Sequence, residues 1–286
     1  MKQLIVTADD FGIAREVNDA VERAHRQGIL TATSLMVSAP AAGDAVARAK
    51  TMPGLAVGLH LVLVEGRPTL RPAAIPDLVD GAGMFREDMV RAGFAFLRPK
   101  VRRQLAAEIR AQFEGFAATG LKLDHVNAHK HFHLHPTIAG LIVEIGRDFG
   151  LKAMRLPCEP AGLLRQIEPG TKGSAVVELW ARRLGRRLAA AGIFAPQNMF
   201  GLAWSGAMTA GRLNALIAHL PEGSSEIYLH PATGPAFAGA APGYLYEQEL
   251  AALTSDQVIE STKENQILLG SFTDFLPPRE NAKVAL

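Results

Sequence analysis

The chain has 286 residues, 48% of them hydrophobic and 20% charged, with a formal net charge of +2 at pH 7. That composition is ordinary for a soluble globular enzyme, and so weak a positive balance, with no recognisable RNA- or DNA-binding module, argues against nucleic acid as a partner. A single cysteine, Cys158, excludes an intrachain disulfide and fits a reducing, cytoplasmic compartment, and no apolar run approaches the roughly 18–20 residues a spanning helix needs.

Residues 1–8, MKQLIVTA, are not expected to act as a signal peptide, because the apolar stretch is short and acidic residues follow at once. QLIVTA reads as a buried strand that ends at DDFG. In REVNDAVERAHRQG (15–28), Val17, Ala20, Val21 and Ala24 recur at helical spacing and Gly28 is the stop. TATSLMVSA (31–39) is β-rich, PAAGDAVARAKTM (40–52) predicts a helix, and LAVGLHLVL (55–63) predicts another buried strand. Residues 64–83, rich in Pro and Gly, predict a long loop, with helices over 86–96 and 100–118. LKLDHVN (121–127) predicts a strand, TIAGLIVEIGRDFG (137–150) a helix closed by Gly150, and LKAMRLP (151–157) a strand. An amphipathic helix is expected over 174–192, a helix at RLNALIAHL, a strand at SEIYLHP and a helix through SDQVIESTKEN, with QILLGSF closing the pattern. Strand–helix–strand units of this length imply parallel strands joined by crossovers and buried on both faces. The expected fold is one α/β domain over 1–286, a barrel or a doubly wound sheet.

In α/β barrels functional residues gather at the carboxyl ends of strands. Four candidates obey that rule: Asp9 with Asp10 after QLIVTA, His60 late in LAVGLHLVL, a histidine run after LKLDHVN, and His230 closing SEIYLH. One aspartate would suffice to cap the helix that begins near Ile13. Neighbours in an extended segment point opposite ways, so one aspartate could bind a metal while the other holds a proton. His60 alone reads first as a satisfied core histidine, the usual fate of a lone histidine on an apolar strand, and only then as a site residue. Five of the nine histidines fall in DHVNAHKHFHLHP (124–136). If that run is extended, His129, His131, His133 and His135 project on one face. Several neutral imidazoles without an anionic partner are hard to bury, and imidazole suits zinc and related ions, so at least one is expected to be a metal ligand. Catalytic zinc usually keeps three protein ligands, which leaves the other histidines to support the site or touch substrate.

T-A-D-D-F-G near the amino terminus, G-L-H-L about fifty residues on, H-K-H-F-H-x-x-P in mid-chain and a late L-H-P-A together resemble the YdjC-like carbohydrate deacetylases over roughly residues 1 to 275. Within that family the chain is most similar to the HpnK subgroup, associated with hopanoid lipid biosynthesis. The resemblance implies a distorted TIM-like barrel of the NodB/YdjC type. It implies one divalent ion, zinc first with magnesium, nickel or cobalt as alternatives, held by Asp10, His60 and His129. It implies Asp9 as catalytic base, His230 as proton donor and Arg155, in M-R-L-P, as a residue that orients a carboxylate. His131 and His133 are implied as substrate contacts or supports. Trp204, in FGLAWSGAMT, is a candidate for stacking on a sugar ring. Asn127 and Ala128 stand where the family pattern has Asp and Ser, and Asp124 is a candidate replacement. The implied substrate is an N-acetylated sugar or glycolipid, for the subgroup an N-acetylglucosaminyl hopanoid.

Amide hydrolysis requires the same parts on chemical grounds. A metal polarises the carbonyl and lowers the pKa of water toward about 7, a carboxylate takes a proton, and an acid protonates the departing amine. Cys158, in LPCEP, has no local base and is not expected to act. Residues 86–105, with Phe94, Phe96 and Leu97 among basic residues, are a candidate peripheral membrane contact. So are Arg182, Arg183, Arg186 and Arg187 beside Trp180 and Leu184; both stretches also read as solvated faces of outer helices. The rivals are a deacetylase of soluble chitooligosaccharides, a metal-dependent phosphoesterase and a non-catalytic metal-binding scaffold. A flat polar groove would favour the soluble sugar, and an apolar trough beside the metal would favour the lipid. Oligomeric state is open, a homodimer included.

Overall fold

The computed structural model describes residues 1–277. Its sheet has seven strands: β1 (Lys2–Phe11), β2 (Ala32–Leu35), β3 (Ala56–Leu61), β4 (Leu123–Ala128), β5 (Asn198–Phe200), β6 (Gly223–Leu229) and β7 (Leu268–Leu269). They run in the order β4-β3-β2-β1-β6-β5, and β7 lies beside the first half of β1. Every pairing is parallel. Irregular backbone joins the two edges. The Val126 amide donates to the Ala153 carbonyl and the Arg155 amide to the Val126 carbonyl; Met154 donates to Phe194, and Met199 to Cys158. The result is a distorted α/β barrel. LKAMRLP, expected as a strand, occupies a strand's place here but makes only isolated bridges at Ala153 and Met154. Pro157 and Pro160 withhold two ladder donors at its end.

The helices are α1 (Arg15–Gln27), α2 (Ala42–Ala49), α3 (Met89–Ala95), α4 (Pro99–Ala118), α5 (Pro136–Gly146), α6 (Ala161–Ile167), α7 (Ala175–Ala190), α8 (Ala210–Ala218), α9 (Tyr246–Leu253) and α10 (Asp256–Glu264). Helix α1 buries Val17, Ala20, Val21 and Ala24, the stripe seen in its spacing. Ser174 caps α7 and Thr209 caps α8 through their side chains. Gly150, at φ 72°, ends the turn after α5 in the left-handed region that glycine enters freely. Three elements, α6, β5 and α9, lie outside the periodic segments of the sequence. Seven, three and eight residues are too few for a period to stand out.

Two apolar cores divide the labour. The larger packs helices against the outside of the sheet. The smaller, Ile5, Ala32, Ala153, Phe272 and Phe275, plugs the barrel near the amino ends of its strands. Each large side chain buried this way contributes about 1.5–3 kcal/mol. Above the plug the interior turns polar, with Thr7, Ser34, His60, Asn127, Arg155 and Glu226 all buried. That polar layer is the floor of the site.

Candidate active site and metal centre

The site begins where β1 breaks its alternation. Asp10 has φ 64°, and the register with β2 shifts between Ala8 and Phe11. The bulge turns Asp10 back, so that both aspartates line one cavity instead of opposite faces. Neither caps α1, whose N-cap is Ala14 and has no side-chain cap.

Asp9 is gripped by Arg155. Nη1 donates to Asp9 Oδ2 at 2.6 Å and Nη2 to Oδ1 at 2.9 Å. The same guanidinium reaches Glu226 Oε1 through Nε at 2.9 Å and Nη2 at 2.7 Å. Burial works against the Asp9 anion, but Arg155 foremost, with His60 and His230, holds its carboxyl far below the usual range. Arg155 thus sits fully buried between two carboxylates and orients one of them.

A chain of hydrogen bonds then fixes the state of His60. Asp9 Oδ1 can only accept, so Ser34 Oγ and Asn127 Nδ2 both donate to it at 2.9 Å. The amide oxygen of Asn127 therefore faces His60 Nδ1 at 2.7 Å, and Nδ1 carries the hydrogen. That leaves the lone pair on His60 Nε2, 3.2 Å from Asp10 Oδ1. His129 Nδ1 lies 3.3 Å from the same oxygen. Asp10 Oδ1 and His60 Nε2 are buried, and neither has a hydrogen-bond partner. One donor atom from each of Asp10, His60 and His129 lies within 4.8 Å of the others. Such convergence of lone pairs fits a cation. Electrostatics agree: burial lowers the pKa of His60, but Asp10 and Asp9 raise it further, a field that attracts positive charge. Asp10 is partly exposed; desolvation works against its carboxylate, but His129 and His60 outweigh that cost and hold it well below its ordinary value. Among the described residues this is the single group of its kind. In this network Asn127 serves as a donor toward Asp9 and an acceptor toward His60.

The histidine run is not extended. Residues 129–134 form a 3-10 turn with Lys130 and His131 both at φ 53°, so the four odd positions scatter. His129 joins Asp10 and His60. His131 lines the cavity and meets the Tyr228 hydroxyl through Nε2 at 3.0 Å. His133 is fully buried behind it, its ring set edge-on to that of His131 in a T, and lies off the cavity wall. His135 packs on Phe96. Burial pushes His131 down to about 3 and His133 well below its ordinary value, so both are neutral.

His230 lines the cavity beside Tyr228 and Tyr244. Its Nδ1 is buried without a partner, and its backbone amide donates to Glu249 Oε2. Glu249 Oε1 takes the Met208 amide at 2.8 Å, tying the 200–209 segment to the end of β6. The pKa of His230 is lowered on balance: burial foremost lowers it, and Asp10 and Asp9 offset only part of that. Two expectations fail on position. Trp204 is buried in the outer core under the Arg212 guanidinium, away from the cavity. Asp124 binds His125 and Thr273 at the opposite end of the barrel and cannot stand in for Asn127. Tyr228, Glu226 and Ser34 were missed in the sequence. A signal existed: Glu226, Tyr228 and His230 alternate on one face of a strand otherwise apolar at its centre.

The cavity holds about 950 Å³. Met84, Phe85, Met89 and Leu202 share its lining with carboxylates, imidazoles, tyrosines and Lys130, so the cavity is of mixed character.

A family model described as YdjC-like protein matches residues 3–264. A carbohydrate deacetylase of Geobacillus stearothermophilus is 30% identical over 274 residues, 95% of this chain and 97% of that protein. One of Brevibacillus brevis is 40% identical over 147 residues, a match that spans 51% of this chain and 56% of that protein. Among solved structures, a protein of Enterococcus faecalis V583, named as a candidate for cellobiose-phosphate cleavage, is similar at a TM-score of 0.76 and 25% identity, over 96% of this chain and 99% of that one.

Proposed function

The chain belongs to the YdjC-like family, and from that premise we propose that it is a metal-dependent carbohydrate N-deacetylase, a hydrolase of the amide C–N bond in an N-acetylated sugar. One observation carries the reading: the Asp10–His60–His129 triad, the Arg155-held Asp9 and His230 share one cavity. The names of the full-length relatives support it.

Asp10, His60 and His129 would hold one divalent ion, and a donor set of one carboxylate and two imidazoles suits zinc first, with nickel, cobalt or magnesium as alternatives. Bound there, the ion supplies Lewis acidity toward the acetyl carbonyl and lowers the pKa of water toward about 7. Asp9, kept ionised and aimed by Arg155, takes the proton from the attacking water. Its Oδ2 receives one protein donor, from Arg155, which leaves a lone pair for that proton. An amine cannot leave as an amide anion, so a proton must reach its nitrogen; His230, fixed by Glu249 through its backbone, supplies it. His131 and Tyr228 line the same cavity.

The finer reading is an N-acetylglucosaminyl hopanoid as substrate. The apolar side chains of Met84, Phe85, Met89 and Leu202 in the cavity lining support it. So do Val90, Phe94 and Leu97, exposed at 71%, 71% and 59% on the segment whose Met84 and Met89 line the cavity. Exposed Arg91, Arg98, Arg102 and Arg103 flank them, and Val176 and Leu179 are exposed on the first turns of α7. This pattern suits peripheral contact with an anionic membrane, on its cytoplasmic face, without a spanning segment. No helix among the described residues is long and apolar enough to cross a membrane.

Acetate release by the metal-loaded protein tests both levels. We expect release from N-acetylglucosaminyl hopanoid, with one ion per chain and loss of activity in Asp9→Asn. Release from diacetylchitobiose alone would keep the chemistry and overturn the lipid. Release from neither, with metal bound, would overturn the deacetylase.

A further inference from the structure

Backbone strain gathers at the cavity. Among the described residues five non-glycine positions have positive φ, and four of them, Asp10, Glu65, Lys130 and His131, line it. Such positions cost about 1–3 kcal/mol each and persist where the surroundings over-determine them. Asp10 belongs to the triad and His131 to the Tyr228 contact. Glu65, at φ 48°, and Lys130, at φ 53°, are used by neither. They meet each other instead: Lys130 Nζ lies 3.2 Å from Glu65 Oε2. The pair joins the loop after β3 to the histidine turn, one residue from His129.

The pair also sets the charge of the wall. Apart from histidines, Lys130 is the cationic side chain among the described residues that line the cavity, and Glu65 occupies it. Asp80 and Glu87 add two more carboxylates to the same wall. Arg155 lies outside the cavity wall and is committed to Asp9 and Glu226. Besides Asp9 and Asp10 of the site itself, an entering phosphate would face the three carboxylates Glu65, Asp80 and Glu87 and one lysine already paired. Glu65 and Lys130 are partly exposed, and like-charge juxtaposition at such positions still disfavours one partner relative to another.

We infer that the Glu65–Lys130 ion pair makes this cavity select a sugar uncharged around the reacting unit and reject a phosphorylated one. Glu65 does so by withholding the single lysine able to bind phosphate. The inference rests on the proposed reading that the ligand is an N-acetylated sugar.

Calorimetric binding to the Asp9→Asn protein, which leaves the ligand intact, provides the test. The probes are diacetylchitobiose and its 6-phosphate. The parent is expected to favour the neutral sugar. Glu65→Gln is expected to move the affinity ratio toward the phosphate by about tenfold, and adding Lys130→Gln is expected to abolish the gain. Glu87→Lys, at an exposed position that needs no repacking, is expected to move the ratio the same way. Equal affinity of the parent for both probes overturns the inference. So does a ratio unmoved by Glu65→Gln and Glu87→Lys alike, or binding of neither probe. A shifted ratio with no acetate release by the active protein would sustain the charge selection and overturn the deacetylase reading. Acetate release with an unmoved ratio would do the reverse.

Discussion

At the scale of single residues, the site depends on Arg155 more than on any other side chain. It is fully buried and neutralises two carboxylates from different strands. Arg155→Ala would leave both uncompensated, and we expect a loss of about 3–5 kcal/mol in urea unfolding. Arg155→Lys keeps a charge but not the fork that spans Asp9 and Glu226. We expect it to fold with its metal and to lose about a hundredfold in kcat, the scale of a small misplacement at a reacting centre. Asp9→Asn should cost about 10²–10⁴ in kcat, the range of one general base. Its metal content should stay unchanged, because Asp9 lies outside the triad; loss of the ion from Asp9→Asn would show that the two aspartates do not divide the work. Much of this set was legible in the sequence, since a charged or imidazole side chain at the end of an otherwise apolar strand has few structural uses. Trp204 was not: an indole in a Gly-rich loop serves a core or a ligand equally well, and only its burial beneath Arg212 decides.

Elements show what alternation alone conveys. Gly58 and His60 share the inner face of β3, and Gly58 faces His125 on β4. A methyl group at Gly58 would stand 2.5 Å from the His125 ring. That ring cannot retreat, because it stacks on Phe272 at 4.1 Å and bonds Asp124 through Nδ1 at 2.9 Å. Gly58→Ala should therefore destabilise by about 1–3 kcal/mol, the usual cost of overpacking, and push β3 against His60. Thermal melting with and without metal checks this, and a variant as stable as the parent would show that the strand can slide. The strands and long helices were legible because they repeat one period over enough residues. The turn at 129–134 was not: H-x-H-x-H alternates as a strand does, and the two left-handed residues that break it carry no glycine to announce them. The segment 151–157 misleads in the opposite way. Its composition is that of a strand, and its prolines confine it to isolated bridges.

The whole molecule is polarised along the barrel axis, with the cavity at one end and, at the other, a clasp that holds the closing segment. Asp124, almost fully buried, is the centre of that clasp. Its Oδ1 accepts from the Thr273 amide at 2.9 Å and the Thr273 hydroxyl at 2.7 Å, and its Oδ2 meets His125. Thr273 follows Phe272 of the inner plug, so one carboxylate anchors the segment that seals the barrel. Burial raises the pKa of Asp124, but His125 and Thr273 outweigh it and bring the group down to about 2. Against an ordinary aspartate value of about 3.9, the folded state binds its proton less tightly than the unfolded chain, which is worth roughly 2 kcal/mol near neutral pH. The sign follows: the contribution is complete above about pH 5, shrinks as the unfolded chain begins to take up protons, and is gone once pH falls below about 2. Asp124→Asn retains an acceptor but not the charge. Urea unfolding of parent and variant between neutral pH and pH 3 should show a gap of roughly 2 kcal/mol that narrows as the solution is acidified. A gap of constant size would mean that the clasp works through hydrogen-bond geometry alone. Because Asp124 lies at the far end from Asp10, His60 and His129, the variant should keep its metal and, at temperatures where it is folded, its activity.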